Sequence, residues 1–401
     1  MQATTGPLDL VVVGGCGHVG LPLALSFAAC DLRVGVYDID TAKMARVREG
    51  IMPFHERGAD QLLDSLLPTG RLVFDDHPRM LARTDTIVMV IGTPIDEFMN
   101  PSTRIFERAV DELAPHLPAG ALVILRSTVY PGVTEYVASR LARHGLEADV
   151  AFCPERVAEG HALEEIRSLP QIIGGVTESA YERAARLFAR LDVEILRVTP
   201  REAELAKLFT NTWRYMKFAI TNQFFQMAHH AGVDYGHVLE AITHHYPRAA
   251  DLPGPGFTAG PCLFKDTMQL AAFSPDHFPM GHAAMLVNEG LPGYVVDALD
   301  RRCPLAGRTL GILGMAFKGE SDDPRASLSY KLKKLAAFRG ARVLCTDPYV
   351  PDPTLLPLDD VLEQSDVLVV AAPHRCYRDV RVNGKCEIVD IWGITGEGIR
   401  L

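Results

Sequence analysis

Short aliphatic runs alternate along the first half of the chain with longer stretches whose apolar residues recur at helical spacing. Leu8 to Val13 reads as a buried parallel strand, followed by a glycine turn and a helix from about Val19 to Ala29. Arg33 to Tyr37 is the next strand and ends at Asp38. Thr86 to Ile91, Ala121 to Leu125 and Asp149 to Phe152 continue the series, separated by helix-like stretches such as Arg104 to Leu117 and Thr134 to His144. This βαβ rhythm predicts an α/β fold: an open, mostly parallel sheet with helices on both faces.

From about Pro200 the texture changes. REAELAKLFTNTWRYMKFAITNQFFQMAHHAG runs without proline or internal glycine, which predicts one long helix ending near Gly232. With Phe224, Phe225 and Met227 on it, such a helix either joins domains and offers a surface to a second subunit or is a core helix of one domain; periodicity alone leaves both open. The last part of the chain echoes the first: a strand at Thr309 to Leu313 runs into GMAFKG, a strand at Arg342 to Thr346 ends at Asp347, and Ser365 to Ala371 repeats the texture of the run at 84–92. The expected organisation is two doubly wound, Rossmann-like domains, over 1–199 and 301–401, joined by a long central helix and a helical region over 200–300.

The chain has 401 residues, 48% hydrophobic and 22% charged, enough for two or three domains with their own cores. Its net charge of -10, from 50 acidic and 40 basic residues, leaves no extended basic face for a nucleic acid, so anionic ligands must be held by local groups. Eight cysteines without a CxxC pair argue against a zinc site or a disulfide scaffold and point to a reducing cytoplasm. MQATTGPLDL carries no basic region ahead of its apolar run, and nothing reaches the roughly 18 apolar residues of a membrane span. The expectation is a soluble cytoplasmic protein that binds no metal.

In GGCGHVG, Gly15, Gly17 and Gly20 form G-x-G-x-x-G between a strand and a helix, with His18 and Val19 inside the turn. The spacing lets a pyrophosphate approach the backbone and lie on the helix amides. Asp38 stands 18 residues after Gly20 at a strand end, where a carboxylate accepts ribose hydroxyls and repels a 2'-phosphate, so NAD is expected rather than NADP. Lys43 reads equally as an adenosine contact or a solvated helix lysine. Far downstream lies Cys262, in GPGFTAGPCLFKD. A single cysteine is ordinarily a small buried hydrophobe, but this one sits among Gly254, Gly256 and Gly260 with Lys265 and Asp266 close behind, a setting that suits a nucleophilic thiolate.

In this order, GGCGHVG, Asp38, IGTP at 91–94, RSTVYPG at 126–132, CPERVAEG at 153–160, ELAKLFTN at 204–211, GPCLFKD at 260–266 and GMAFKGESDDPR at 314–325 resemble the nucleotide-sugar 6-dehydrogenase family, which includes UDP-glucose, GDP-mannose and UDP-N-acetylhexosamine dehydrogenases. The resemblance implies oxidation of a sugar's primary alcohol to a carboxylate with two NAD in sequence. Cys262 would capture the aldehyde as a thiohemiacetal that is oxidised to a thioester. Lys207 and Asn211 would hold the developing oxyanion, Asp266 would act as general base with a water near Thr128, and Glu159 would activate water for hydrolysis. Thr93, Thr128 and Arg325 would contact the cofactor, and Glu155, Gly256, Phe317 and Lys318 the substrate. Taken singly, Lys207 and Glu204 could instead be a surface pair, Glu155 and Glu159 solvated loop acids, and Asp266 a helix cap.

Arg156 and Val157 in PERV, Arg214 in NTWR, and His245 and Arg248 in HHYPR resemble the N-acetylhexosamine branch, the arginines suited to a diphosphate and the His–Arg pair to an acetamido carbonyl. In related enzymes an arginine of this loop reaches the neighbouring subunit's site, which implies a homodimer. Ala259 and Pro261 before the cysteine, the TNQ at 221–223 and Cys153 depart from the common family pattern. The product would be a uronate for surface polysaccharide or a related glycoconjugate. The same reaction on UDP-glucose, a two-electron hydroxyacid dehydrogenase without covalent catalysis, and a non-catalytic NAD-binding scaffold are the competing readings.

Overall fold

The structure is a computed structural model that describes the chain except residues 1–5, 94, 95, 97–102, 259, 275, 382–385, 397 and 400. The last residue of the IGTP motif and Ala259 of the cysteine loop therefore lie outside the described residues. Two compact units divide the chain, 1–209 and 210–401.

In the first unit the elements run β1 (Leu10–Val13), α1 (Gly20–Ala28), β2 (Val34–Tyr37), α2 (Thr41–Arg48), α3 (Ala59–Leu66), β3 (Leu72–Asp75), β4 (Thr86–Met89), α4 (Thr103–Leu113), β5 (Leu122–Leu125), α5 (Val133–Arg143), β6 (Asp149–Phe152), α6 (Ala162–Ser168), β7 (Gln171–Gly175), α7 (Glu178–Phe188) and β8 (Ile195–Val198). They form one eight-stranded sheet in the order β3-β2-β1-β4-β5-β6-β7-β8. The first six strands are parallel and carry the doubly wound order 3-2-1-4-5-6. β7 then pairs antiparallel with β6, and β8 parallel with β7.

The aliphatic runs are continuous because both faces of the sheet are covered. Leu10 and Val12 of β1, with Leu122 and Ile124 of β5, enter a core with α1, α3 and α7. Val11 and Val13, with Val123 and Leu125, enter a second core with α4 and α5 on the other face. β3, β7 and β8 were not marked by such runs. β3 and β8 are edge strands with a half-buried or exposed face, and so lack a continuous aliphatic signature.

α8 (Pro200–His230) is the long helix the sequence predicts, and it crosses from the first unit into the second. The second unit continues with α9 (Tyr235–Thr243), α10 (Leu263–Phe273), α11 (Pro279–Arg302), β9 (Thr309–Leu313), α12 (Leu328–Phe338), β10 (Arg342–Thr346), α13 (Leu358–Gln364), β11 (Val367–Val370) and β12 (Glu387–Asp390). Its four parallel strands are ordered β10-β9-β11-β12, so the echo of the first domain is a smaller doubly wound sheet. Leu310, Ile312, Val367 and Val369 pack on α11 and α12, while Leu313, Leu368 and Val370 face Val361 and Tyr377. Among the described residues no helix is long and apolar enough to cross a membrane.

The surface-pair reading of Glu204 and Lys207 is overturned. Both side chains are buried, and the Glu204 carboxylate accepts from the Gly132 N–H at 2.6 Å, the Thr134 N–H at 2.8 Å and the Thr134 hydroxyl at 2.6 Å. It thus caps the N-terminus of α5, where Gly132 itself offers no side chain, and the helix dipole favours the negative charge. This cap fixes the start of α8 against the turn that carries Thr128.

Glu204→Gln replaces one accepting oxygen by an NH2 that faces N–H groups. The expected result is a loss of about 2–4 kcal/mol of stability and faster hydrogen exchange over the first turn of α5. Unchanged exchange there would refute the cap.

Candidate functional site

The glycine turn after β1 has the geometry of a dinucleotide cradle. Gly14, which the motif spacing did not single out, adopts φ +75, and a Cβ on it would lie 2.0 Å from the Val90 carbonyl oxygen. A Cβ on Gly20 would lie 2.2 Å from the Gly14 carbonyl oxygen, so close packing of α1 on the turn requires glycine there. Gly17 is different: its nearest neighbour would be 3.6 Å away. The protein does not crowd this position, and its lack of a side chain leaves the backbone open to a ligand beside the start of α1. His18, half-buried, stacks on Phe54 at 4.2 Å, and Val19 is the N-cap residue of α1.

Asp38 lies where the sequence put it, past the end of β2. One carboxylate oxygen accepts from the Cys16 N–H at 2.8 Å and the other from the Asp40 N–H at 2.9 Å. The acid therefore shapes the turn, and each of its oxygens keeps a further lone pair. Burial, followed by the charges of Asp38 and Asp40, pushes the Cys16 thiol up to about 12, and burial does the same to Cys153. Neither is a nucleophile. Lys43 pairs with Asp40 at 3.2 Å on the exposed start of α2.

Thr93 and Thr128, predicted cofactor contacts from distant segments, meet: the Thr93 hydroxyl donates to the Thr128 carbonyl at 2.5 Å. The loop 155–160 is held by carboxylates along its length. Glu155 accepts from the Arg156 and Val157 amides at 2.7 and 2.8 Å, Glu165 from Ala158 at 2.6 Å, and Glu56 from Gly160 at 2.9 Å. Glu155 is no solvated loop acid: its other oxygen pairs at 2.5 Å with Arg126, and both side chains are buried. Gln171 accepts from the same guanidinium at 2.9 Å, and the Phe188 ring lies 5.1 Å away. Glu155 thereby sets the shape of the loop that presents half-buried Glu159. Arg156 donates to the Pro170 carbonyl, and Val157 packs on the first core.

In the second unit Cys262 is exposed and is the N-cap residue of α10. This corrects the reading of Asp266 as the cap. Asp266 lies one turn into the helix, fully buried, and accepts a 2.5 Å hydrogen bond from the Asn211 side-chain amide, with the Lys265 ammonium 3.5 Å from its other oxygen. An exposed sulfur at a helix N-terminus, where negative charge is favoured, thus stands one turn from a sequestered carboxylate. Asn211 and Lys207 are buried one helical turn apart on α8.

Two residues that sequence reasoning missed hold the cysteine loop. Asn222 clamps Gly256, donating to its carbonyl at 3.2 Å and accepting its N–H at 2.9 Å, while Asn288 accepts from Asn222 at 2.9 Å and donates to the Tyr215 carbonyl at 3.0 Å. The spacing of Asn222 from Asn211, three helical turns, was a readable signal; Asn288 gave none. A Cβ on Gly256 would lie 2.4 Å from the Trp392 ring, and one on Gly260 2.5 Å from the Phe317 ring. Aromatic rings from the crest of the smaller sheet thus pack against the loop at both of these glycines.

Lys318 lies with its ammonium 5.7 Å from the Phe317 ring centre. Arg325 folds onto Asp323 with bonds of 2.9 and 2.6 Å. Arg214 is exposed on α8, and His245 and Arg248 lie on the exposed loop after α9, with His245 at φ +52 and Arg248 against the Tyr246 ring.

Comparison with known proteins gives three consecutive matches to models of the UDP-glucose/GDP-mannose dehydrogenase family: its NAD binding domain over 9–192, its central domain over 201–290 and its UDP binding domain over 311–397. The UDP-N-acetyl-D-mannosamine dehydrogenase of Pyrococcus horikoshii is 31% identical over 92% of this chain and 90% of that protein. That of Yersinia pestis is 27% identical over 98% and 99%. Among solved structures, the UDP-D-ManNAc dehydrogenase of Pyrococcus horikoshii has a TM-score of 0.91 at 30% identity, covering 98% of this chain and 97% of that one. A UDP-glucose dehydrogenase from Pyrobaculum islandicum has a TM-score of 0.89, also at 30% identity, covering 97% and 95%.

Glu155→Ala strands the Arg126 guanidinium in the core and is expected to cost about 3–5 kcal/mol in urea denaturation. Adding Arg126→Met should recover most of that loss. A double variant no more stable than the single one would refute the buried pair as the cause.

Proposed function

The chain belongs to the UDP-glucose/GDP-mannose dehydrogenase family, and from that premise we propose that it oxidises the C6 alcohol of a UDP-N-acetylhexosamine to the uronate through a covalent intermediate on Cys262. It is an NAD-dependent nucleotide-sugar dehydrogenase. The glycine turn fits the cofactor: Gly17 is uncrowded, α1 begins behind it, and Asp38 closes the turn. NAD supplies the hydride acceptor for each of the two oxidations.

The observation that carries the covalent reading is the exposed Cys262 sulfur above the buried Asn211–Asp266 pair. Asp266 takes the proton of the C6 hydroxyl as the first hydride leaves, giving the aldehyde. The Cys262 sulfur adds to the aldehyde carbon, and the resulting thiohemiacetal loses a second hydride to become a thioester. Water, activated by Glu159, cleaves the thioester to the carboxylate and restores the thiol. Lys207 and Asn211 supply a cation and an amide donor to the oxygen on which negative charge develops. Phe317, Lys318 and Gly256 seat the nucleotide sugar, Arg156, Val157 and Arg214 line its path, and Arg325 and Thr93 contact the cofactor.

Relatives named for UDP-N-acetyl-D-mannosamine favour an acetamido sugar. The Pyrobaculum islandicum neighbour, equally identical and named for UDP-glucose, keeps the plain sugar as the second reading. Eight cysteines spread along the chain without a CxxC pair suit a reducing cytoplasm. A homodimer is favoured by α8, which turns Trp213, Ile220, Phe224 and Met227 outward at 55%, 40%, 42% and 58% exposure, a stripe that a monomer would leave in water. Within such a dimer His245 and Arg248 would reach the partner's site.

Purified enzyme given UDP-N-acetyl-D-mannosamine should form two NADH per uronate, with turnover exceeding that on UDP-glucose. Cys262→Ser should yield no acid. One NADH per sugar, or full acid production by the serine variant, overturns the mechanism, and preference for UDP-glucose overturns the substrate assignment.

For the dimer, Trp213→Glu combined with Met227→Glu should halve the mass measured by light scattering. An unchanged dimeric mass would move the interface elsewhere.

A further inference from the structure

The crest of the smaller sheet holds a fully buried pair that plays no part in the chemistry above. Asp347, at the end of β10, and His374, after β11, are each 0% exposed in their side chains, and the His374 Nε2 donates to an Asp347 oxygen at 3.1 Å. That same oxygen accepts the N–H groups of Met315 and Ala316 at 2.7 and 2.9 Å. The other accepts from Tyr349 and Val350 at 2.8 and 3.0 Å. Burial by itself would raise the Asp347 pKa; the His374 hydrogen bond, with the Tyr349 and Val350 amides, outweighs it and holds the carboxyl below the usual carboxylate range.

The other ring nitrogen closes the arrangement. His374 Nδ1 accepts the Glu320 N–H at 3.0 Å, which fixes the neutral ring with its proton on Nε2. One histidine therefore ties the start of the turn 315–320, through Asp347, to its end at Glu320. That end is strained. Glu320 is a non-glycine residue at φ +53, in the left-handed region that side chains disfavour, and a Cβ on Gly319 would lie 2.5 Å from the Pro373 carbonyl oxygen. Glu320 returns the contact by accepting the Arg375 N–H at 2.8 Å.

The turn held in this way presents Phe317 against Gly260, two residues before the reactive sulfur, and Lys318 beside that ring. It stands at the carboxyl end of β9, where open α/β sheets receive their ligands. We infer that His374 is a positioning residue that holds the turn 315–320 in the shape that receives the nucleotide sugar, and so sets the affinity for that substrate. The inference rests on the proposed reading that the sugar nucleotide seats on this turn.

The test compares wild type with His374→Ala, His374→Asn and His374→Gln in steady-state kinetics, varying UDP-N-acetyl-D-mannosamine and NAD in turn and following thermal midpoints. The Asn oxygen falls near the Nδ1 position and can take the Glu320 N–H, whereas the Gln amide reaches towards Asp347 but leaves Glu320 without its acceptor. Ala and Gln should raise the KM for the sugar about tenfold with the KM for NAD within about twofold, and Asn should stay within about threefold of wild type. Equal KM values for wild type and Ala, rescue by Gln rather than Asn, or a parallel change in both KM values would each overturn the positioning role. A wild-type enzyme that turns over neither acetamido sugar nor UDP-glucose would bring down the functional reading itself, and this inference with it.

Discussion

The structure depends on a polar stripe that runs inward along α8. Glu204, Lys207, Asn211 and Asn222 are 1%, 9%, 4% and 0% exposed, while Trp213, Phe224 and Met227 on the same helix face outward. A helix with that polarity gains little from water on its polar side, so every buried group must be satisfied by a partner within the fold. Glu204 finds the amides of α5, Asn211 finds Asp266, and Asn222 finds the backbone of Gly256. These partners come from segments far apart in sequence. Satisfying Glu204 therefore fixes the turn that carries Thr128 within the first unit, and satisfying Asn211 and Asn222 fixes the cysteine loop and its helix within the second.

That inversion also explains which features the sequence disclosed. The glycine turn, the strand-end acids and the central strands were legible because backbone chemistry leaves few alternatives at those positions: only glycine tolerates the contacts at Gly14 and Gly20, and only two-sided burial produces uninterrupted runs such as Leu10 to Val13. The length of α8 was legible for the same local reason. Its orientation was open to two readings, since Glu and Lys three residues apart on a helix ordinarily mark a solvated face while the resemblance set Lys207 and Asn211 towards a pocket. The alternative that made Glu155 a solvated loop acid rested on the same habit. Its burial follows from Arg126, and nothing local to PERV announces that partner. Asp266 resembled a cap by residue type, yet the helix starts immediately after Cys262 and the acid points inward.

The two sheets solve a common problem in parallel ways. In each, the chain leaves the central first strand and must turn sharply, exposing backbone N–H groups at the crest. An acid at the end of the neighbouring strand accepts them: Asp38 takes Cys16, and Asp347 takes Met315 and Ala316. The echo noticed in sequence is therefore an echo of turn chemistry, and it does not require the second copy to bind a dinucleotide. Asp38 is only partly buried, whereas the side chain of Asp347 is sealed by His374. The same carboxylate position is half-open in one sheet, where the proposed reading has it meet the cofactor, and a sealed structural pin in the other.

The chain's net charge of -10 sharpens what recognition must accomplish. A nucleotide sugar and a dinucleotide are both anionic, and a protein of this charge offers them no general attraction. Affinity must arise where backbone amides and individual cations are held in place against that background. In the proposed reading helix α1 behind Gly17, the cation of Lys318 on its pinned turn and the head of α10 at Cys262 are such places, each with a carboxylate beside it that fixes its surroundings: Asp38 accepts the Cys16 amide, Asp347 the Met315 amide and Asp266 the Asn211 side chain. Acidic residues that spend hydrogen bonds on the groups around such places let an acidic chain build surfaces that accept anions.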